Sequence, residues 1–294
     1  MTRLALILLV ASCRGGPRPV VVVSKNFSEQ VLLSEILAQQ FERHGLPVRR
    51  RLNLGGTYIC DRALRAGEAD VYVEYTGTAL TAILKKAVVT DPALALAQVR
   101  ESYARQGLLW AEPLGFENTF AMLVRQSDAR RLGLRRLSDL ASHAGSMKAG
   151  FGYEFLNRAD GYPGLARIYG LSFMETRVMD LGLTYRALAE GQVDLIAGNS
   201  TDGVIARLEL VQLEDDRRYF PPYQAAPVVR RAALEAHAAL RPALQALGGA
   251  IDAGTMRRLN EQVDGQKRPV ADVAREFLAA RAGIGTASPG VPEK

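Results

Sequence analysis

Short β-branched runs alternate along this chain with longer stretches whose apolar residues recur every third or fourth position. Val20-Val21-Val22-Val23 is the first run and reads as a buried strand. Behind it, Leu32, Leu33, Ile36, Leu37 and Phe41 mark one face of a helix, with Asn26 or Ser28 as its N-cap and Gly45 as its stop. The pattern continues with a strand over 48–53, a helix over 57–66 and a strand over 71–74. That β-α-β-α-β order predicts a mostly parallel sheet covered by helices. Positions 93–106 read as a further helix and 108–114 as extended chain.

The pattern then restarts. Strands are predicted over 119–125, 147–150, 177–179 and 193–197, with helices over 162–169 and 184–190. An internal echo links the halves: Ala63-Leu64-Arg65-Ala66-Gly67-Glu68-Ala69-Asp70-Val71 is matched by Ala187-Leu188-Ala189-Glu190-Gly191-Gln192-Val193-Asp194-Leu195. Just before these, Leu54-Gly55-Gly56-Thr57-Tyr58 is matched by Leu181-Gly182-Leu183-Thr184-Tyr185. Two similar lobes explain the echo, and so does convergence of helix–Gly–strand junctions on similar residues. Positions 243–248, 255–263 and 270–281 read as helices, and 287–294 as a polar, frayed tail. Two α/β lobes with a helical return imply a cleft between them, where ligand sites tend to lie.

At 294 residues the chain exceeds the usual size of one compact core, which agrees with two lobes. A net charge of +6 comes mostly from scattered arginines (Arg49 to Arg51, Arg130, Arg131, Arg135, Arg136) that read as solvated faces. Such scatter argues against a nucleic-acid-binding module. His44, His143, His237, Cys13 and Cys60 match no metal-ligand spacing, so neither a metal nor a cofactor is expected. The amino terminus changes the picture more. Positions 4–11 form an apolar run too short to span a bilayer but suited to a secretory signal. It ends in Val10-Ala11-Ser12-Cys13, which resembles a bacterial lipobox and implies lipidation of Cys13. Cys60 would then have no disulfide partner, and 14–19 would form a flexible tether.

Motifs of the common enzyme classes are absent from the sequence: no P-loop, dinucleotide fingerprint, zincin helix or paired-cysteine site. Gly198-Asn199-Ser200-Thr201-Asp202-Gly203 comes nearest to a hydrolase elbow but has Asp where the second Gly should stand. A Ser200 nucleophile would also need a histidine base, and His237 is the only one downstream.

The stretches that carry a family likeness are Lys25-Asn26-Phe27-Ser28-Glu29-Gln30, Leu54-Gly55-Gly56-Thr57, Glu74-Tyr75-Thr76-Gly77-Thr78 and Gly115-Phe116-Glu117-Asn118-Thr119. Further on come Phe155-Leu156-Asn157-Arg158-Ala159-Asp160-Gly161-Tyr162, Ser200-Thr201-Asp202-Gly203 and Tyr219-Phe220-Pro221-Pro222-Tyr223. Together they resemble the substrate-binding proteins of osmoprotectant ABC importers, which take up glycine betaine, choline, proline and related solutes. The resemblance runs from Val20 to Leu278. It implies a two-lobed periplasmic-binding-protein fold of type II (a Venus flytrap) with a hinge between lobes. Residues 20–115 and 226–283 would form the first lobe and 116–225 the second, after a signal peptide over 1–13 and before a disordered tail over 284–294. It further implies a monomer without catalytic activity, working outside the cytoplasm on a lipid anchor. Its partners would be a small zwitterionic or quaternary-ammonium solute and a transmembrane permease, with no nucleic acid.

By the same resemblance, Tyr75, Phe120 and Tyr223 would be walls of a cage, because a trimethylammonium group has no N–H and is held by aromatic faces. Lys25, Thr78 and Arg158 would hold the anionic end, Arg being able to bind a carboxylate in a fork. Phe120 and Asn199 depart from the family pattern, which commonly has tyrosines there. Asn199 removes one wall and adds an amide that both donates and accepts. A larger betaine such as ergothioneine, or a non-quaternary solute such as an amino acid, is therefore a second expectation for the ligand.

Overall fold

The computed structural model describes residues 18–284; Cys13, the apolar run before it, most of the expected tether and positions 285–294 lie outside them. Elements follow the periodicity closely at first: β1 (Val20–Lys25), α1 (Ser28–Arg43), β2 (Val48–Gly55), α2 (Thr57–Ala66), β3 (Val71–Tyr75) and β4 (Leu108–Trp110). Parallel pairing with β2 and β3 covers both edges of β1, and α1 and α2 cover its two faces. Its side chains alternate: Val20 and Val22 pack under Leu32, Ile36 and Phe41 of α1, whereas Val21 and Val23 pack with Cys60 and Leu64 of α2. An unbroken valine run follows from burial on both sides. At the sheet edge β2 alternates instead, and its Arg50 is no solvated face, because it binds Glu35 and Glu42 on α1.

A second sheet holds β5 (Phe120–Arg125), β6 (Lys148–Phe151), β7 (Glu175–Val178), β8 (Leu195–Asn199) and β9 (Leu210–Gln212), before β10 (Ala225–Arg230) returns to the first. The first sheet runs β2-β1-β3-β10-β4 and the second β7-β6-β8-β5-β9. With β6 in place of β1, the two orders are the same. Each sheet carries one antiparallel strand, β10 or β5, inserted where the chain crosses from the other lobe. The other four strands of each sheet run one way, so the sheets are mostly parallel as the periodicity predicts, with one antiparallel strand added. β10 escaped the sequence reading because Pro227 sits inside it. The missing N–H does no harm there: the Pro227 carbonyl accepts from the Ala111 N–H just past the end of β4, where the ladder stops.

The internal echo falls on equivalent places. α2 leads into β3, and the helix Leu181–Ala189 leads into β8, the third strand of each parallel set. Gly67 and Gly191 end those helices with φ of 78° and 74°, a left-handed turn that glycine adopts without strain. The two crossing segments lie side by side, with Glu117 bridged to Gln224 and the Asn118 N–H donating to the Tyr223 carbonyl at 3.1 Å. On the outer face of the first lobe the helix Val270–Ile284 packs against α1.

Candidate ligand-binding cleft

The carboxyl ends of β1, β3, β6 and β8 point into the gap between the two sheets, the usual place for a ligand in open α/β folds. A cavity of about 480 Å³ lies there, and Lys25, Tyr75, Thr78, Phe120, Arg158, Asn199 and Tyr223 all line it. The structure thus brings the seven expected ligand-contact residues to one cavity. α1 begins with Phe27 at its N-cap and no side-chain cap, not with the expected Asn26 or Ser28; Asn26 and Phe27 both line the cavity.

Lys25 ends β1 and donates from Nζ to Glu74 Oε1 of β3 at 2.5 Å, both side chains being almost fully buried. Burial pushes the Glu74 carboxyl above its ordinary value, and Lys25 and the Tyr75 N–H oppose that rise. The Lys25 ammonium also stands 5.0 Å from the centroid of the Tyr75 ring. Tyr75 in turn donates its hydroxyl to Glu29 at 2.6 Å. Thr78 lies in the helical turn Thr76–Thr78 directly after β3. Gly77 in that turn has no room for a side chain: a Cβ would lie 2.8 Å from the Tyr223 ring.

Arg158 follows the short helix Tyr153–Asn157 of the second lobe and is 5% exposed. Its Nε and Nη2 donate to Asp160, Nη2 reaches Thr78 Oγ1 at 3.3 Å, and Nη1 stands 3.9 Å from Glu154. Tyr223 donates its hydroxyl to Asp160 Oδ2 at 3.0 Å. Burial by itself raises the Asp160 carboxyl, but Arg158 with the Thr81 and Tyr223 hydroxyls holds it below its ordinary value. The guanidinium carbon is 5.5 Å from the Phe120 centroid. Phe120 opens β5, sits opposite Asn199 of β8, and meets Phe155, Phe220 and Tyr223 at 4.7, 5.7 and 5.7 Å between centroids. Asn199 donates from Nδ2 and from its backbone N–H to Asp202 Oδ2, at 3.2 and 3.0 Å. Burial raises Asp202 to about 7, against the pull of the Tyr185 hydroxyl.

Asp160 stands two residues from Arg158, close enough in sequence to pair with it. Glu74 carried a signal that was missed, since an acid inside an apolar strand needs a buried partner. Glu29 and Asn118 carried none at any fixed spacing. Tyr58 and Tyr153, 45% and 71% exposed on opposite lobes, were also overlooked and line the cavity's mouth.

A family model described as the substrate binding domain of ABC-type glycine betaine transport systems matches residues 18–280. The chain belongs to this family. It is accordingly the substrate-binding component of an ABC importer, acting outside the cytoplasm, and the family is not an enzymatic one. That overturns the hydrolase alternative; Ser200 Oγ accepts from the Thr119 N–H at 3.1 Å, between the ends of β8 and β5. The ergothioneine transport permease/ergothioneine binding protein EgtU of Helicobacter pylori is 34% identical over 89% of the chain, which spans only 47% of that protein's length. The carnitine transport binding protein OpuCC of Listeria monocytogenes is also 34% identical, over 85% of the chain and 83% of its own length. A solved structure of a glycine betaine/carnitine/choline ABC transporter superposes with a TM-score of 0.73 at 34% identity, covering 90% of this chain and 98% of that one.

Proposed function

We propose that the cavity captures a betaine-type quaternary-ammonium solute and delivers it to the permease of an ABC importer. The observation that carries this reading is the meeting of three aromatic rings and two internally neutralised cations around one cavity. A trimethylammonium head held by Tyr75, Phe120 and Tyr223 gains about 0.5–2 kcal/mol per ring face, more as water is excluded. Lys25 is balanced by Glu74 and Arg158 by Asp160, with Glu154 alongside, so the lining does not repel a cation. Of the Arg158 donors, Nη1 makes no bond to Asp160 and is the one left for a ligand carboxylate. Thr78 flanks that end, its Oγ1 3.3 Å from Arg158 Nη2, and Lys25 lines the same cavity.

A second reading concerns the size of the ligand. The cavity shares Asn26, Phe27, Asp180, Leu181 and Asn199 with an adjoining cavity of about 500 Å³ that also contains Tyr185 and Asp202. With its Nδ2 committed to Asp202, Asn199 offers a carbonyl oxygen, which rewards a ligand carrying an O–H or N–H donor beyond its cationic head. Glycine betaine has no such donor. Carnitine has a hydroxyl and ergothioneine a ring N–H, and relatives named for both are 34% identical to this chain.

We further assign residues 20–115 and 226–283 to one lobe, 116–225 to the other, and a lipid anchor to Cys13. A Cys13→Ala variant should leave the membrane fraction; unchanged fractionation would remove the anchor. The ligand itself is tested by a thermal-shift panel of glycine betaine, choline, carnitine, ergothioneine, proline and other amino acids. A ligand that binds only the native state raises its stability by RT ln(1 + [L]/Kd). At least one quaternary amine is expected to raise Tm, and silence across them all refutes the reading.

A further inference from the structure

Glu29 lies in the first turn of α1, 1% exposed, with no lysine, arginine or histidine within 4 Å among the described residues that would account for its burial. Four neutral groups surround it instead. Oε1 accepts from the Tyr75 hydroxyl at 2.6 Å and from Asn118 Nδ2 at 2.8 Å. Oε2 accepts from the Thr201 hydroxyl at 2.5 Å and from Asn260 Nδ2 at 2.8 Å. A carboxylate has about four lone-pair sites, so its capacity is filled.

The donors come from four separate parts of the molecule. Tyr75 is a wall of the cavity at the end of β3, and Asn118 lines the cavity from a crossing segment. Asn260 ends the helix Ala253–Asn260 of the carboxyl-terminal return. Thr201 alone lies beyond the crossing segments, in the body of the second lobe: it follows β8 two residues after Asn199, and Ser200 beside it accepts from and donates to Thr119 at the start of β5. Asn260 Nδ2 also donates to the Thr201 carbonyl at 2.9 Å, so this one residue is held twice across the gap. Opening the lobes must break both bonds and leave Glu29 short of a donor, which costs more than an ordinary hydrogen bond because the acceptor is charged and buried.

From this geometry we infer that Glu29 is the positioning residue of the cleft, a latch that joins the ring of Tyr75 in one lobe to the Asn199 wall in the other and retains the closed state. The inference rests on the cavity being the ligand site, and it adds a role for a residue that does not itself line the aromatic chamber. Ligand held between latched lobes leaves only when the Thr201 contacts break, so the latch acts on dissociation and not on encounter.

Thr201→Val removes the hydroxyl at nearly constant volume. With the ligand that scores in the thermal-shift panel, it should raise the dissociation rate about ten- to a hundredfold with association unchanged. Thr201→Ser, which retains the hydroxyl, should restore the parent rate. Glu29→Gln, whose amide presents N–H groups to two of the four donors, should match or exceed Thr201→Val. A second arm needs no ligand: small-angle scattering of Thr201→Val should give a larger radius of gyration than the parent. Parent-like dissociation together with a parent-like scattering curve overturns the latch, as does a Ser variant that behaves like Val. If the parent binds nothing in the panel, the ligand reading falls, and scattering alone decides the latch.

Discussion

The two cation–carboxylate pairs that line one cavity are built differently. Lys25 and Glu74 sit on neighbouring parallel strands of the first sheet, and every bond recorded between them and their surroundings stays within that lobe. Arg158 and Asp160 belong to one loop of the second lobe, yet their outer contacts are Thr78 in the first lobe and Tyr223 in the crossing segment. The first pair is a fixture of the sheet that exists whether or not the lobes meet. The second is complete only when they do. One site therefore has a half that is set by folding and a half that is assembled by closure, and Glu29 belongs to the joint between them.

Removing one partner from each pair separates these roles. Lys25→Met strands Glu74 in a dry sheet and should cost about 3–5 kcal/mol of stability near neutral pH in urea denaturation. Burial already pushes Glu74 up and Lys25 opposes that rise, so without Lys25 the proton is held more tightly; the cost should shrink as pH falls below the raised value and grow as pH rises through it. A loss that does not change with pH would show that the pair is not what keeps Glu74 charged. Arg158→Leu should do the reverse, with a smaller fall in Tm but a roughly tenfold to hundredfold loss of affinity for carboxylate-bearing ligands, and less for choline. Calorimetry that finds the betaine-over-choline preference intact removes Arg158 from the anionic end.

The aromatic walls come next in size. Tyr75 and Tyr223 are 4% and 2% exposed, so truncation to alanine mixes a packing loss with a binding loss. Tyr223→Leu keeps most of the volume and removes the π face; quaternary ligands should weaken by about 1–2 kcal/mol. Asn199→Tyr is a smaller change of opposite sign for simple betaines: glycine betaine should gain, whereas a donor-bearing ligand should lose its acceptor. Equal responses from the two classes would discard Asn199 as a selector. Last comes Asp202→Asn, which is read in the slope of stability against pH and not in ligand affinity. Raising a carboxyl in the native state from 3.8 to about 7 makes the fold bind its proton more tightly than the unfolded chain does, so stability declines with rising pH across that interval. The Asn variant should show a flatter Tm-versus-pH curve over that interval; an unaltered slope assigns it to another group.

Much of this was legible in the residues, for identifiable reasons. The buried run of β1 and the helical spacing of α1 left little choice, and the Gly-terminated helices that lead into β3 and β8 marked equivalent places in two lobes before their sheets were known. What hid was what depends on distant segments. Pro227 concealed β10, because the harmlessness of its missing N–H depends on where β4 stops. Glu29 was hidden for the same reason: it is explained by Tyr75, Asn118, Thr201 and Asn260, and no local spacing joins those positions. Cation-to-acid pairing likewise altered the role read for Lys25, whose ammonium is already bonded to Glu74.

The central claim is that positive charge on a donor-free head, and not its shape, is what the rings recognise. It is tested most directly by calorimetry with the best quaternary ligand of the panel beside its neutral isostere, in which carbon replaces the ammonium nitrogen. The account predicts saturable binding of the cation and at least a tenfold weaker isostere, about 1.4 kcal/mol or more. Equal affinity for the two would contradict it.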